Sequence, residues 1–249
     1  MKRIQGIDHP VVHVYAVCWN EEKIIPFFLS HYNEFVDHYY IYDNYSDDKS
    51  DELLSKQSNI SVIKYDTGGT FNDIVHQQIK NTAWKQSRGK ADWVIVIDMD
   101  ELIYHPNLIG FLNSSVDTVF NPSGFNMVTD KFPQSKLKIT EQIQTGIPDE
   151  KYTKMILFNP HRIVDINYMP GAHEAYPEGI IRITKINELK LLHYKNLGVD
   201  YVLNRIEIYR NRLSETNRKM KYGIEYEKEY QKIIEEFNTS LNLCKRVID

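Results

Sequence analysis

Trp93-Val94-Ile95-Val96-Ile97-Asp98-Met99-Asp100-Glu101 is the stretch on which the rest of the chain turns. Its apolar run is too short for most helices and shows no polar alternation, so it predicts a central strand covered on both faces. The run ends abruptly in acid. A strand-end Asp-x-Asp can point two carboxylates at one hard cation while the middle residue faces the fold. The same residues can instead form a polar turn whose carboxylates accept backbone N–H bonds at the start of the next element. Both options stand at this point.

Outward toward the N-terminus the same grammar repeats. Val11-Val12-His13-Val14-Tyr15-Ala16-Val17 is a β-branched run that predicts a buried first strand, ending at Trp19-Asn20-Glu21-Glu22. Ile24, Ile25, Phe28, Leu29, Tyr32, Phe35 and Val36 then recur at helical spacing. Pro26 is tolerated there only because it falls near the helix start, where its missing N–H matters little. His38-Tyr39-Tyr40-Ile41-Tyr42 predicts a second strand, breaking into the turn-forming Asp43-Asn44-Tyr45-Ser46-Asp47-Asp48. Ser50 to Leu54 suggests a short helix, Ile60 to Tyr65 a third strand, and Phe71 to Ser87 one long helix with Ile74, Ile79 and Trp84 in the core.

Strands alternating with helices at this rhythm argue for an α/β fold with a mostly parallel central sheet flanked by helices. Ligands in such sheets sit beyond the carboxyl ends of the strands. Each strand here ends in a polar cluster: Asn20-Glu21, Asp43-Asn44, Asp66, and Asp98 to Glu101. These four clusters are expected to converge on one edge. After about Asn121 the prolines and glycines multiply, and shorter strands and loops are expected to lie across the first half. Helical periodicity returns from Asp200 to Leu213, and Tyr222 to Leu243 predicts a charged final helix. Arg205, Arg210, Arg212, Arg218, Lys219 and Lys221 form a charge block that reads as a solvated helix face. The expected organisation is a catalytic domain over 1–199 and a C-terminal helical extension over 200–249, packed on or beside it.

The 249 residues suffice for a sizeable core, and a 42% hydrophobic, 26% charged composition is that of a globular chain. A formal net charge of −4 offers no global field to attract nucleic acid, so no nucleic-acid partner is expected. Cys18 and Cys244 lie in no metal-ligand spacing and read as thiols of a reducing compartment. Met1 to Pro10 lacks the apolar run of a signal peptide, and no segment reaches a bilayer's span, so the expected location is cytoplasmic with peripheral membrane contact left open. The 17 tyrosines suit sugar rings as well as a packed core.

Three ordered segments resemble the glycosyltransferase family 2-like group and the related family 92-like enzymes. They are Val14 to Glu22, Tyr40 to Asp48 and Trp93 to Glu101, joined by Gly171-Ala172-His173-Glu174 and Leu192-His193-Tyr194. The likeness spans about residues 12 to 200. It implies a GT-A fold, a nucleotide-sugar donor (a uridine diphosphate sugar foremost), a carbohydrate or lipid-linked glycan acceptor, and a Mn2+ or Mg2+ cofactor. By position it implies nucleotide contacts from Val17, Asn20, Glu21, Asp43, Asn44, Asp66, Asp98 and Met99, and a metal held by Asp98, Asp100 and His193. Asp100 is the more direct ligand in this scheme and Asp98 the closer to the ribose. Trp19 stands where the family often has a basic residue. The general base has three candidates, Glu174, His173 and Glu101, and the sequence does not select among them.

Two other classes compete. An Asp-nucleophile phosphatase would use Asp98 as nucleophile and Asp100 as acid, but such enzymes place the motif after their first strand. A non-catalytic nucleotide-binding protein of degenerate GT-A fold would retain the cleft without turnover.

Overall fold

The computed structural model describes residues 9–184 and 186–249, so the expectation for the N-terminal stretch lies, up to Asp8, outside the described residues. The first half alternates as its pattern requires: β1 (Val12–Cys18), α1 (Ile25–Tyr32), β2 (His38–Asp43), α2 (Ser50–Ser55), β3 (Ile60–Lys64), α3 (Asp73–Thr82) and β4 (Trp93–Asp98). There follow β5 (Glu101–Tyr104), α4 (Leu108–Ser114), β6 (Val119–Phe120), β7 (Ser123–Thr129), α5 (Ile139–Gln142), β8 (Thr145–Pro148), β9 (Leu157–Phe158), β10 (Ile163–Asp165) and β11 (Glu178–Gly179). The chain closes with β12 (Lys190–Leu197), α6 (Val199–Arg212), α7 (Glu215–Met220), α8 (Tyr230–Leu243) and β13 (Lys245–Arg246).

Two sheets result. The first has the order β3-β2-β1-β4-β9-β6, with β3, β2, β1 and β4 parallel and the last two pairings antiparallel. Both β1 and β4 are buried along almost their whole length, which explains their unbroken apolar sequence. The second sheet has the order β13-β8-β7-β12-β5 and is built from the irregular second half of the chain. β4 belongs to the first sheet and β5 to the second, so Met99 and Asp100 are the bridge on which the chain passes from one to the other. Met99 is buried between the sheets, and the acids on either side of it are displayed. A fold of two sheets joined at one acidic step is a mixed α/β architecture.

Three sequence expectations change. The long helix over 71–87 is α3 followed by a tight 3-10 turn at Ala83–Ser87; Trp84 is fully buried, but Ile74 and Ile79 are only partly so. The buried residues of α3 are Asp73 and Lys80, so this helix turns a polar face inward. The charged final helix expected over Tyr222–Leu243 is shorter: after left-handed Lys221 and Gly223 the chain makes a 3-10 turn at Ile224–Glu227, and the regular helix is α8 alone. Finally, the basic block is a solvated face only in its second half: Arg218, Lys219 and Lys221 are exposed, whereas the three arginines of α6 are partly enclosed. Arg205 reaches Glu21, Arg210 donates to the Tyr226 and Lys228 carbonyls, and Arg212 lies over Trp19. After α8, β13 pairs with β8. No helix among the described residues is long and apolar enough to cross a membrane.

Candidate active site

The carboxyl ends of β1, β2 and β4 open on one cavity of about 830 Å3. Its size is that of a small-molecule pocket. One end is aromatic and amide-rich, lined by Trp19, Asn44, Tyr65, Phe71 and His76. With its amide turned to satisfy both neighbours, Asn44 donates to the Tyr65 carbonyl at 3.2 Å and accepts from Arg212 at 3.1 Å. Arg212 lies 3.2 Å above the Trp19 ring and donates to the Gly69 carbonyl. The Tyr65 hydroxyl meets His76 Nε2 at 2.8 Å; burial holds that imidazole's pKa down at about 4.

The other end is ionic and centres on the β4–β5 step. Asp98 faces Lys80 at 2.6 Å and Lys154 at 3.7 Å. Burial pushes its carboxyl up, but Lys80 first and Lys154 second outweigh that and hold it below the usual carboxylate range. Glu101 is fully enclosed and ion-paired with the equally buried Lys154 at 2.5 Å. Asp100 lies 3.5 Å from both His193 Nε2 and Arg205. Burial again works against its ionisation, and His193 then Arg205 reverse the effect, so Asp100 stays charged well into acid.

His193 is oriented from behind. Its Nδ1 meets Asn126 Oδ1 at 2.7 Å, and the Asn126 amide is itself oriented by donating to Asp149 at 2.7 Å. The ring stacks on Tyr152 at 3.9 Å. Gly124 makes that stacking possible, because a Cβ there would stand 2.2 Å from the Tyr152 backbone. In neutral His193 the proton therefore sits on Nδ1, and the Nε2 lone pair faces the Asp100 carboxylate. Two lone-pair donors aimed at each other, backed by an amide, fit a divalent cation. Among the described residues no three His, Cys, Asp or Glu side chains form a full metal cage. A Mg2+ or Mn2+ held by one or two side chains, with substrate phosphates and water completing its shell, needs none. Asp100 and His193 fit as its ligands. Asp98, expected beside them, is turned toward two buried ammonium groups instead.

The remaining expected residues separate by position. Val17, Glu21, Asn44, Met99, Glu101, His173 and Glu174 line the cavity with Asp98, Asp100 and His193. Asn20, Asp43 and Asp66 do not. Asn20 adopts left-handed backbone and exchanges two hydrogen bonds with Asp47. Asp43 is buried and held by Ser46 and Lys64, closing the turn after β2. Asp66 is exposed and accepts the Gly68 N–H at 2.7 Å, a turn contact outside the cavity. These polar strand ends are spent on shaping turns, which is what short carboxylates and amides do best. Glu21 is buried against Arg205 at 2.6 Å, a tie between the β1 end and α6.

His173 and Glu174 sit on a loop pinned to α3. Gln77 and Asn81 both donate to the Tyr168 carbonyl, and Asn81 accepts the Tyr168 N–H at 2.7 Å. Gly171, at φ +80°, then lets the chain fold back so closely that a Cβ would touch the His173 ring at 3.0 Å. His173 Nδ1 donates to the Lys151 carbonyl at 2.8 Å, leaving its Nε2 unprotonated in the neutral ring. Partial burial first, and the Lys154 charge second, lower its pKa. Glu174 accepts from the Tyr176 hydroxyl at 3.0 Å.

Sequence reasoning missed Lys80, Lys154, Arg205, Asn126, Tyr152 and Asp73. All are ordinary helix, strand or loop residues by pattern, and only the fold turns them inward. Asp73 is buried beside Asn217, which donates to its carboxylate at 3.0 Å. Burial raises its pKa to about 6. A carboxyl harder to ionise when folded withdraws stability as pH rises from its unfolded value of 3.8 through about 6. Asp73→Asn is therefore expected to add about 3 kcal/mol to the unfolding free energy at pH 8, with no gain below pH 4. Urea titrations at both pH values check this, and an equal effect at both would reject it.

No family model matches the chain, and no curated protein matches it. Among solved structures it is similar to a mycobacterial protein, with a TM-score of 0.32 and 13% identity over 47% of this chain and 41% of that one. It is also similar to a 4-diphosphocytidyl-2C-methyl-D-erythritol synthase, with a TM-score of 0.35 and 14% identity over 61% of this chain and 76% of that one. The synthase of the same name from Anaerococcus prevotii gives a TM-score of 0.34 and 12% identity over 62% and 72%. The chain thus spans less than half the length of the mycobacterial protein.

Proposed function

We propose that this chain transfers a glycosyl group from a nucleotide diphosphate sugar to a hydroxyl acceptor, on a GT-A-type arrangement of residues 9–199 completed by the helices that follow. One observation carries the reading: three adjacent parallel strand ends share a cavity whose one end is aromatic and amide-lined and whose other end is ionic. A nucleoside suits the first end, because Tyr65, Phe71 and Trp19 present ring edges and faces and Asn44 presents an amide. A diphosphate suits the second. A divalent ion held by Asp100 and His193 would balance charge on the departing diphosphate.

The chain's own groups do the rest. Lys80 and Lys154 fix Asp98, and Lys154 also holds Glu101, so Glu101 is locked in an ion pair and unsuited to proton transfer. His173 has the better geometry for the general base: its Nδ1 is committed to a carbonyl and its Nε2 is free to take the acceptor's proton as the oxygen attacks. Replacing His173 by alanine is expected to lower kcat by about 10^2 to 10^4-fold. Because its pKa is lowered, the wild-type rate should be flat at neutral pH and fall only on the acid side of 6.5 as the ring protonates. That acid limb should vanish in the variant. A larger loss in Glu174→Gln than in His173→Ala would move the assignment to Glu174.

The acceptor class that suits this reading is a carbohydrate or lipid-linked glycan. The decisive assay incubates the purified protein with Mn2+ and a panel of nucleoside diphosphate sugars, and measures nucleoside diphosphate release. Neither release nor calorimetric binding across the panel would remove the proposal.

A further inference from the structure

Lys80 and Lys154 each have a carboxylate within 3 Å, whereas Lys195 has none. It stands two residues after His193 on β12, where the register with β7 slips between His193 and Asn196. A bulge of this kind re-aims side chains beside a site. Here Tyr194 goes to the core and hands its N–H to the Asp100 carbonyl at 2.7 Å, while Lys195 joins His193 in lining the cavity. Its Nζ lies 5.5 Å from the centre of the Tyr226 ring, and Tyr226 stacks in turn on Tyr209 at 4.9 Å. Among the described residues no carboxylate stands within ion-pair distance of this ammonium, and Glu225 and Asp100 act on it only from farther off. A ring face is a weak substitute for a counter-ion, and an enclosed charge without one is costly.

We propose that Lys195 is a binding residue for a phosphate oxyanion of the substrate, completing the ionic end of the cleft beside Asp100 and Arg205. Asp98, Glu101, Glu21 and Asp100 already face Lys80, Lys154 and Arg205, and Glu225, which also lines the cavity, forms no ion pair with Lys195, so Lys195 is the cation left to receive an incoming anion. This deepens the transferase reading and rests on it only for which substrate brings the phosphate, the donor's diphosphate or a phosphorylated acceptor.

The test is calorimetry in EDTA with inorganic pyrophosphate on the wild type, Lys195→Met and Lys195→Arg. Lys195→Met should bind pyrophosphate about 10 to 100-fold more weakly, and Lys195→Arg should retain most of the affinity. The thermal midpoint of Lys195→Met should equal or exceed that of the wild type, because an unpaired enclosed charge has been removed. Uridine diphosphate and uridine separate the sources. A loss for uridine diphosphate but not uridine assigns the phosphate to the donor; a loss for pyrophosphate alone assigns it to the acceptor. Equal pyrophosphate affinity in wild type and Lys195→Met overturns the proposal, even where sugar transfer is found. A Lys195-dependent pyrophosphate site in a protein without transfer activity would sustain it while removing the transferase reading.

Discussion

Replacing Asp100 by alanine should lower kcat/KM by about 10^3-fold, equivalent to roughly 4 kcal/mol of transition-state stabilisation. The same change should weaken Mn2+ binding at least 100-fold in a titration followed by electron paramagnetic resonance. The protein should remain folded, because Arg205 keeps its shorter contact to Glu21 and His193 keeps Asn126. Asp98→Ala should behave differently. Its carboxylate neutralises Lys80 and helps hold Lys154, so its loss strands a buried ammonium and shows first as lowered stability. The contrast is the informative part: two acids one residue apart, one facing an imidazole lone pair and the other facing lysines. Should Asp98→Ala abolish Mn2+ binding while Asp100→Ala leaves it intact, the ligand assignment is reversed.

Arg205→Ala should cost about 3 to 5 kcal/mol of stability, the usual result of removing one partner from a buried pair. Arg205 donates to Glu21 at 2.6 Å, to the Tyr201 hydroxyl at 3.2 Å and to the Tyr209 hydroxyl at 3.3 Å. Glu21 is 5% exposed, so truncating the arginine leaves a carboxylate with neither water nor a cation. Burial already raises the Glu21 pKa despite the arginine, and without Arg205 the opposing influence is lost. Adding Glu21→Gln to the alanine variant should recover most of the deficit, because the stranded charge is then gone. Urea unfolding of the two single variants and the double variant measures the coupling. A cost below about 1 kcal/mol for Arg205→Ala would place the side chain in solvent, as its charge block first suggested.

Much of the scaffold was legible in advance because its signals are local. An apolar run of strand length between polar breaks has few structural options, and β1, β2, β3 and β4 fall where those runs lie. The polar residues at strand ends were harder to sort. Asn20, Asp43 and Asp66 look like Asn44 and Asp98 in sequence, yet the first three close turns and the last two line the cavity. A short polar side chain can satisfy either role, and only the direction of the chain at that point chooses.

Period and composition by themselves determined the alternating architecture, the central strand and the acidic step at its end. Tertiary structure alone decided what surrounds that step. It brought Lys80 from α3, Lys154 from the loop before β9, His193 and Lys195 from β12, and Arg205 from α6 to the same few ångströms. Those residues lie up to 107 positions from Asp98. Charge on a helix face reads as solvated until another surface covers it, and the ion pairs that partition the acids among lysine, histidine and arginine exist only once the two sheets and the C-terminal helices have closed around them.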